Sequence, residues 1–287
     1  MKNHPPATVS SAAAGLKAST TLNNGVAMPW VGLGVWQLSD KEAREVVRSA
    51  VDLGYRSIDT AKIYGNERGV GEAIRTCGVP REQLFVTTKV WNDDIRADRV
   101  EAAFEQSLQL LGIGYVDLYL VHWPVSGKIA HTWKAMERLQ RSGRIKAIGV
   151  SNHMQPHLEE ILGVAEIVPA VNQIEFHPYL QSQPLVEFCR KQEIRVEAWS
   201  PLMQGGDLLT DRTLTGIAQR HGKTVAQIIL RWDVQSDVVT IPKSVKPQRL
   251  AENAAIFDFT LDEAEMSAIA ALDRDRRAGP DPFNFGF

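Results

Sequence analysis

VDLYLVHW, residues 116–123, carries an uninterrupted apolar centre, LYLV, closed by a histidine and a tryptophan. A strand with one wet face alternates apolar and polar residues, whereas a continuous run suits a parallel strand covered on both sides. VVTIP at 238–242 has the same character. Around these two, β-prone runs recur at VGLGVW (31–36), YRSID (55–59), LFVTTKV (84–90), IKAIGVS (145–151), PAVNQIEF (169–176) and IRVEAW (194–199), eight in all.

Segments with helical spacing separate the runs. Val46, Val47, Ala50, Val51 and Leu53 form one apolar stripe, and Val100, Ala103, Phe104, Ser107, Leu108 and Leu111 form another. Further helices fit 128–142, 155–164, 183–192 and 248–257, with two more in 208–235 split at HGK (221–223). A last one fits 261–272, entered through Thr260 with Glu263 set for a capping box. Strand–helix units of this number in about 250 residues predict an α/β fold, a (β/α)8 TIM barrel with extra helices near the C-terminus. An open doubly wound sheet is the competitor. It lacks its fingerprint here, since the pairs Gly32–Gly34 and Gly112–Gly114 have no third glycine for GxGxxG. Ahead of the barrel, the Asn-Gly pair of TLNNGVAMP predicts an N-terminal β-hairpin. No linker divides the chain, so residues 18–287 are expected to form one domain behind a mobile Ala/Ser-rich extension, 1–17.

The totals exclude several classes. Of 287 residues, 44% are hydrophobic and 23% charged, with a net charge of -2. That composition suits a globular domain and offers no electrostatic case for nucleic acid or a membrane surface. No apolar run approaches the roughly 20 residues of a membrane helix. Cys77 and Cys189, far apart and outside any CxxC, fit a reducing compartment and argue against a disulfide framework or a zinc site. A cytoplasmic location is expected.

Barrel active sites form at the carboxyl ends of the strands. There the runs end in Asp59 with Tyr64 just beyond, in Lys89 before Trp91 and Asn92, in His122 before Trp123, in Ser151-Asn152, in Gln173 and Glu175, in Trp199-Ser200, and in Lys243-Ser244. A lysine facing the barrel mouth needs an acid to offset its desolvation, and Asp59, expected at the same level on the next strand, supplies one. A buried pair that merely satisfies itself is the competing, structural reading. Tyr64 and His122 give the pair chemistry. An adjacent ammonium lowers the pKa of a phenol, which makes Tyr64 a general acid for an oxygen gaining electrons, with His122 directing that oxygen. The set is equipped to turn a carbonyl into an alcohol, given a hydride source.

A second cluster raises its own question. Pro247 suits the first turn of a helix, so Lys243, Lys246 and Arg249 gather at a helix N-terminus that already favours anions. A solvated basic turn and a phosphate site both satisfy that pattern.

In order, YRSIDTAKIYGNE, VTTKVWND, LYLVHWP, GVSN, VNQIEFHP, AWSPL and IPKSVKPQRLAEN resemble the motifs of the aldo-keto reductase family, over roughly residues 20–282. Within it the chain resembles the bacterial branch of diketogluconate-reductase-type and glyoxal-reductase-type enzymes. The resemblance implies a catalytic tetrad of Asp59, Tyr64, Lys89 and His122, with Tyr64 the proton donor. It also implies NADPH as cofactor. Lys243, Ser244 and Arg249 would hold its 2′-phosphate, Glu252 and Asn253 its adenine, Ser200, Leu202 and Gln204 its pyrophosphate path, and Ser151, Asn152 and Gln173 its carboxamide. Trp199 would pack on the nicotinamide, where many animal relatives have tyrosine. Two cations on one phosphate favour NADPH over NADH.

Trp36, Trp91, Trp123 and His122 are implied as the substrate-binding wall, for small aldehydes, dicarbonyls or keto sugars. The tail GPDPFNFGF is short for the family, and Phe283, Phe285 and Phe287 either cover the mouth or fray. Trp133, Trp232 and Trp30 read as packing residues and His177 as structural. His153 and His157, four apart, lack a third metal ligand and are expected at the surface, so no metal is anticipated. The family implies a monomer. Two alternatives stay open: a Schiff-base aldolase using Lys89, and a non-enzymatic cofactor-sensing subunit on the same fold.

Overall fold

The computed structural model describes residues 15–285. The expected extension therefore lies outside the described residues as far as residue 14. Gly15–Lys17 already forms a 3-10 turn whose Leu16 packs on the core, so the folded unit begins at least at residue 15.

Strands β1 (Ser19–Thr21) and β2 (Ala27–Pro29) form the expected hairpin, with Gly25 at φ 86° in the turn. Asn23 and Asn24 donate to the carbonyls of Pro169 and Lys146, which ties this hairpin beneath the barrel. The barrel strands are β3 (Leu33–Gly34), β4 (Ser57–Asp59), β5 (Phe85–Val90), β6 (Val116–Val121), β7 (Ile145–Ser151), β8 (Val171–Glu175), β9 (Arg195–Trp199) and β10 (Val239–Thr240). Each pairs in parallel with its sequence neighbour. The ring closes where Gly32 N–H donates to the Thr240 carbonyl at 2.9 Å and Thr240 N–H to the Trp30 carbonyl at 3.0 Å. Closure removes both sheet edges and decides for the barrel over the open sheet. The first strand is shorter than VGLGVW suggested, since Val31 makes only an isolated bridge to Thr240 and Val35 and Trp36 lie beyond the paired residues.

The helices are α1 (Asp40–Asp52), α2 (Glu67–Thr76), α3 (Asn92–Arg96), α4 (Val100–Leu111), α5 (Ile129–Arg141), α6 (Gln155–Leu162), α7 (Gln183–Lys191), α8 (Arg212–His221), α9 (Val225–Gln235), α10 (Pro247–Ala254) and α11 (Glu263–Ala270). The stripe on α1 buries Ala43, Val46, Val47, Ala50 and Val51, and Leu53 falls just past its end, exposed. Removing a large apolar side chain from water contributes about 1.5–3 kcal/mol. Helix α11 corrects an expectation: its capping box is Asp262 with Glu265, two residues beyond Thr260 and Glu263.

Helix α2 has no clear sequence signal, because Gly69 and Gly71 read as breakers. They are there for close approach. A Cβ at Gly69 would collide with the Asp40 carbonyl and one at Gly71 with the Leu111 carbonyl, so α2 packs tightly on α1 and α4. Trp133 and Trp232 are buried in the core, and Trp30 packs low in the barrel under the Arg195 guanidinium.

Candidate active site

The polar residues that end the strands converge at one mouth. Most of them line a cavity of about 1080 Å³ that runs from Trp91 and His122 to Lys243 and Arg249, while Lys89, Asn92 and Glu175 are buried outside its lining. That is the upper end of the size expected for a bound small molecule and suits an extended cofactor with a small second substrate.

Lys89 is fully buried, and its ammonium donates to Asp59 Oδ1 at 2.6 Å and to the Thr60 carbonyl at 2.9 Å. The two residues are not at one level, as expected from sequence. Asp59 pairs with Thr87, so Lys89 stands two residues nearer the mouth along β5 and reaches back to the acid. The stagger of neighbouring barrel strands is the cause. Burial opposes the charge on Lys89, but Asp59, Tyr64 and Glu197 together raise the ammonium's pKa.

Tyr64 sits on a 3-10 turn, Lys62–Tyr64, just beyond β4. Asn66 behind it is buried and anchors that turn, accepting from Thr60 Oγ1 at 2.7 Å and donating to the carbonyls of Val35 and Leu38. The Tyr64 ring lies 5.1 Å from Lys89 Nζ and meets the His122 ring edge-on at 5.7 Å. The phenol departs from the sequence expectation. Burial first, joined by the charges of Asp59 and Glu197, raises its pKa against the pull of Lys89, so it holds its proton more firmly than a free tyrosine. His122, pressed by burial and by Lys89, is held well below the ordinary imidazole range and is neutral. Its Nδ1 has no protein partner. A protonated phenol and a neutral imidazole thus face one spot above a buried cation. That arrangement delivers a proton to a nascent alkoxide and stabilises it electrostatically.

At the inner wall, Ser151 Oγ donates to the Gln173 carbonyl at 2.9 Å. Asn152, at φ 61°, donates to the His122 carbonyl and to Ser151 Oγ and accepts from the Trp199 indole at 2.8 Å. Asn152 therefore orients Trp199 and His122 as well as lining the cavity. Beyond β9 the loop holds Ser200, Met203 and Gln204 at φ 48°, 49° and 56°. Left-handed backbone at such residues is uncommon and clusters where ligands are clamped. Ser200, Leu202 and Gln204 all face the cavity.

At the far end α10 starts at Pro247, with Lys246 as its cap and Ser244 Oγ accepting the Lys246 N–H at 3.1 Å. Lys243, Ser244, Lys246, Arg249, Glu252 and Asn253 line that end. None of the three basic residues makes an ion pair among the described residues. Unpaired cations at a helix N-terminus fit a phosphate, so the residues present suit a phosphate group.

Trp36, Trp91 and Trp123 wall the other end. Phe285 stacks on Trp123 at 3.9 Å with planes 1° apart and meets Trp91 edge-on, which places the tail over the mouth. Glu175 holds that tail, accepting the Ala278 N–H at 2.5 Å and the Gly279 N–H at 3.1 Å, while His177 Nε2 contacts it at 3.0 Å. Phe287 lies outside the described residues, and Phe283 packs near His157 instead. His153 and His157 correct another expectation. His153 is buried, with its ring against the Ser151 carbonyl and its pKa pulled down to about 3 by burial, and His157 is half-buried. No metal-binding group of His, Cys, Asp or Glu occurs among the described residues.

Sequence reasoning missed Glu197. It is fully buried on β9 opposite Gln173, and its Oε2 accepts from Gln173 Nε2 at 2.7 Å. An acid inside an apolar strand run was the available signal.

A closed parallel barrel with a tyrosine, a neutral histidine and a buried Lys–Asp pair at its mouth defines an enzyme of carbonyl chemistry. More narrowly, the chain belongs to the aldo/keto reductase family, whose family model matches residues 30–274. It is 55% identical over 268 residues to glyoxal reductase of Bacillus subtilis, covering 93% of this chain and 97% of that one. Methylglyoxal reductase DkgA of Escherichia coli is 46% identical over 268 residues, at 92% and 97% coverage. Among solved structures, a variant of Gox0644 in complex with NADPH superposes with a TM-score of 0.89 at 46% identity, covering 94% of this chain and all of that one.

Proposed function

We propose that this chain reduces small aldehydes and dicarbonyls to alcohols with NADPH, using Tyr64 as proton donor. The observation that carries this is that Tyr64 and His122, seated above the buried Lys89–Asp59 pair, share one cavity with the basic start of α10. The glyoxal and methylglyoxal reductases among its relatives support the dicarbonyl class, with keto sugars as a wider range.

NADPH supplies the hydride. Lys243, Ser244 and Arg249 hold its 2′-phosphate, Glu252 and Asn253 its adenine, and Ser200, Leu202 and Gln204 its pyrophosphate. Ser151, Asn152 and Gln173 take the carboxamide, and Trp199 packs on the ring. His122 hydrogen-bonds the carbonyl oxygen and turns it toward Tyr64, which gives up its proton as that oxygen gains charge. Lys89 stabilises the resulting phenolate, and Asp59 keeps Lys89 charged and in place. Trp36, Trp91 and Trp123 exclude water from the reacting carbon.

The aldolase alternative needs a neutral Lys89 amine. The 2.6 Å contact to Asp59 and the raised pKa of Lys89 keep it an ammonium. The protein acts in this reading as a cytoplasmic monomer, in keeping with its two free cysteines. Among the described residues no helix is long and apolar enough to cross a membrane.

The direct test is NADPH oxidation over a panel of glyoxals, aromatic aldehydes and keto sugars. No turnover with any of them would overturn the reading. Lys243→Ala is expected to narrow the preference for NADPH over NADH by about 10- to 100-fold, the worth of a charged hydrogen bond. Unchanged KM ratios for the two cofactors would remove Lys243 from the phosphate site.

A further inference from the structure

The buried acid Glu197 has no part in the tetrad, yet it is joined to it. Gln173 Nε2 donates to Asp59 Oδ2 at 2.8 Å and to Glu197 Oε2 at 2.7 Å. A primary amide has two N–H bonds, and both are spent here on carboxyl oxygens. The reversed orientation would set the amide oxygen against the Asp59 carboxylate. Two acids therefore lock Gln173 with its Oε1 as the end left to accept a hydrogen bond, in a residue that lines the cavity beside Ser151, Asn152 and Trp199.

Glu197 Oε1 has no partner and the residue is fully buried. A carboxylate with a bare oxygen in such a place is costly, whereas a neutral carboxylic acid with its proton on that oxygen costs far less. Three groups share its field: Asp59 from β4, Lys89 from β5, and Tyr64 from the turn after β4. Burial first and then Asp59 push the Glu197 carboxyl up to about 8, against Gln173 and Lys89.

We propose that Glu197 is a positioning residue of the reductase, a neutral acid that aims the Gln173 acceptor oxygen at the carboxamide of the cofactor. It rests on the function proposed for the cavity. When Glu197 loses its proton, the added negative charge raises the pKa of Tyr64 and weakens it as a donor. Reduction therefore falls as pH rises through the Glu197 pKa, and the fall belongs to Glu197 rather than to Tyr64.

Two variants and three readouts test this. Glu197→Leu removes the acceptor, and NADP+ affinity, read by tryptophan quenching, is expected to weaken by about tenfold, the upper worth of one neutral hydrogen bond. Glu197→Gln keeps an acceptor and no charge, so it is expected to restore that affinity while its alkaline fall moves to higher pH. In infrared difference spectra of the cofactor-free proteins, wild type minus Glu197→Gln should show a protonated carboxyl band that disappears near pH 8. Wild-type affinity in Glu197→Leu, a shared pH profile in wild type and Glu197→Gln, or no such band would each overturn the proposal. If Glu197→Leu does not fold, Glu197→Gln decides through the profile and the band. Absence of turnover in every protein would instead overturn the proposed function, and the infrared and binding arms would still judge Glu197.

Discussion

Tyr64→Phe is expected to lower kcat for carbonyl reduction by about 10²–10⁴-fold, the usual worth of a positioned general acid. The substitution removes one O–H and keeps the ring that packs 5.7 Å from His122 and 5.1 Å from Lys89 Nζ. NADP+ affinity and Tm should stay near wild type. The loss is expected in kcat rather than KM, since a proton given to a developing alkoxide acts in the transition state alone.

The raised phenol pKa sharpens this expectation. Tyr64 keeps its proton across the neutral range, and His122 stays neutral there, so neither group should produce an acid-side limb in the reduction profile. The reverse reaction, alcohol oxidation, needs the phenolate and is expected to gain with rising pH. Rapid-mixing kinetics on Tyr64→Phe with a reactive dicarbonyl checks the assignment. A rate within a few-fold of wild type would remove Tyr64 as donor.

The chemistry of the mouth was legible because residue type and strand position coincide. Asp59, Lys89 and His122 stand at the carboxyl ends of runs whose apolar character already called for a parallel barrel. Tyr64 follows its strand at a distance that a short turn spans. What the chain did not disclose depends on register and depth. Glu197 in IRVEAW looks like any polar residue on a strand until pairing with Val171–Glu175 sets it opposite Gln173, pointing inward. The level of Asp59 needed the barrel stagger, and the sign of the Tyr64 shift needed the depth of burial, which no local pattern encodes. His153 stands at a helix start, where exposure is the ordinary expectation, yet the loop folds it under Asn172, whose side chain donates to its carbonyl at 2.8 Å. Helix α2 was hidden by two glycines that exist for contact with α1 and α4. The tail depended on Glu175, an acid at a strand end that turned out to hold backbone N–H groups instead of a ligand.

Lys89→Met is expected to cost about 3–5 kcal/mol of stability, because it strands Asp59 as an uncompensated charge in the barrel. Lys89 has no solvent exposure, and its partner Asp59 has almost none. Two linked measurements separate this structural part from the catalytic one. The double variant Asp59→Asn/Lys89→Met carries no buried charge at the pair and is expected to recover most of the lost stability in urea unfolding. It should not recover turnover, since the phenolate of Tyr64 then forms with no cation beside it.

The sign of the pH dependence follows from the raised ammonium pKa. Stabilisation by the pair is complete below the ordinary lysine value of about 10.4 and fades as pH rises through the higher folded value. The stability gap between wild type and Lys89→Met should therefore hold across the neutral range and close only in strong alkali. If the double variant regained wild-type turnover along with its stability, Lys89 would be a structural cation and the tetrad would lose its modulator. Wild-type stability in Lys89→Met alone would instead show that Asp59 finds its compensation elsewhere, and the buried pair would no longer explain how the mouth is held.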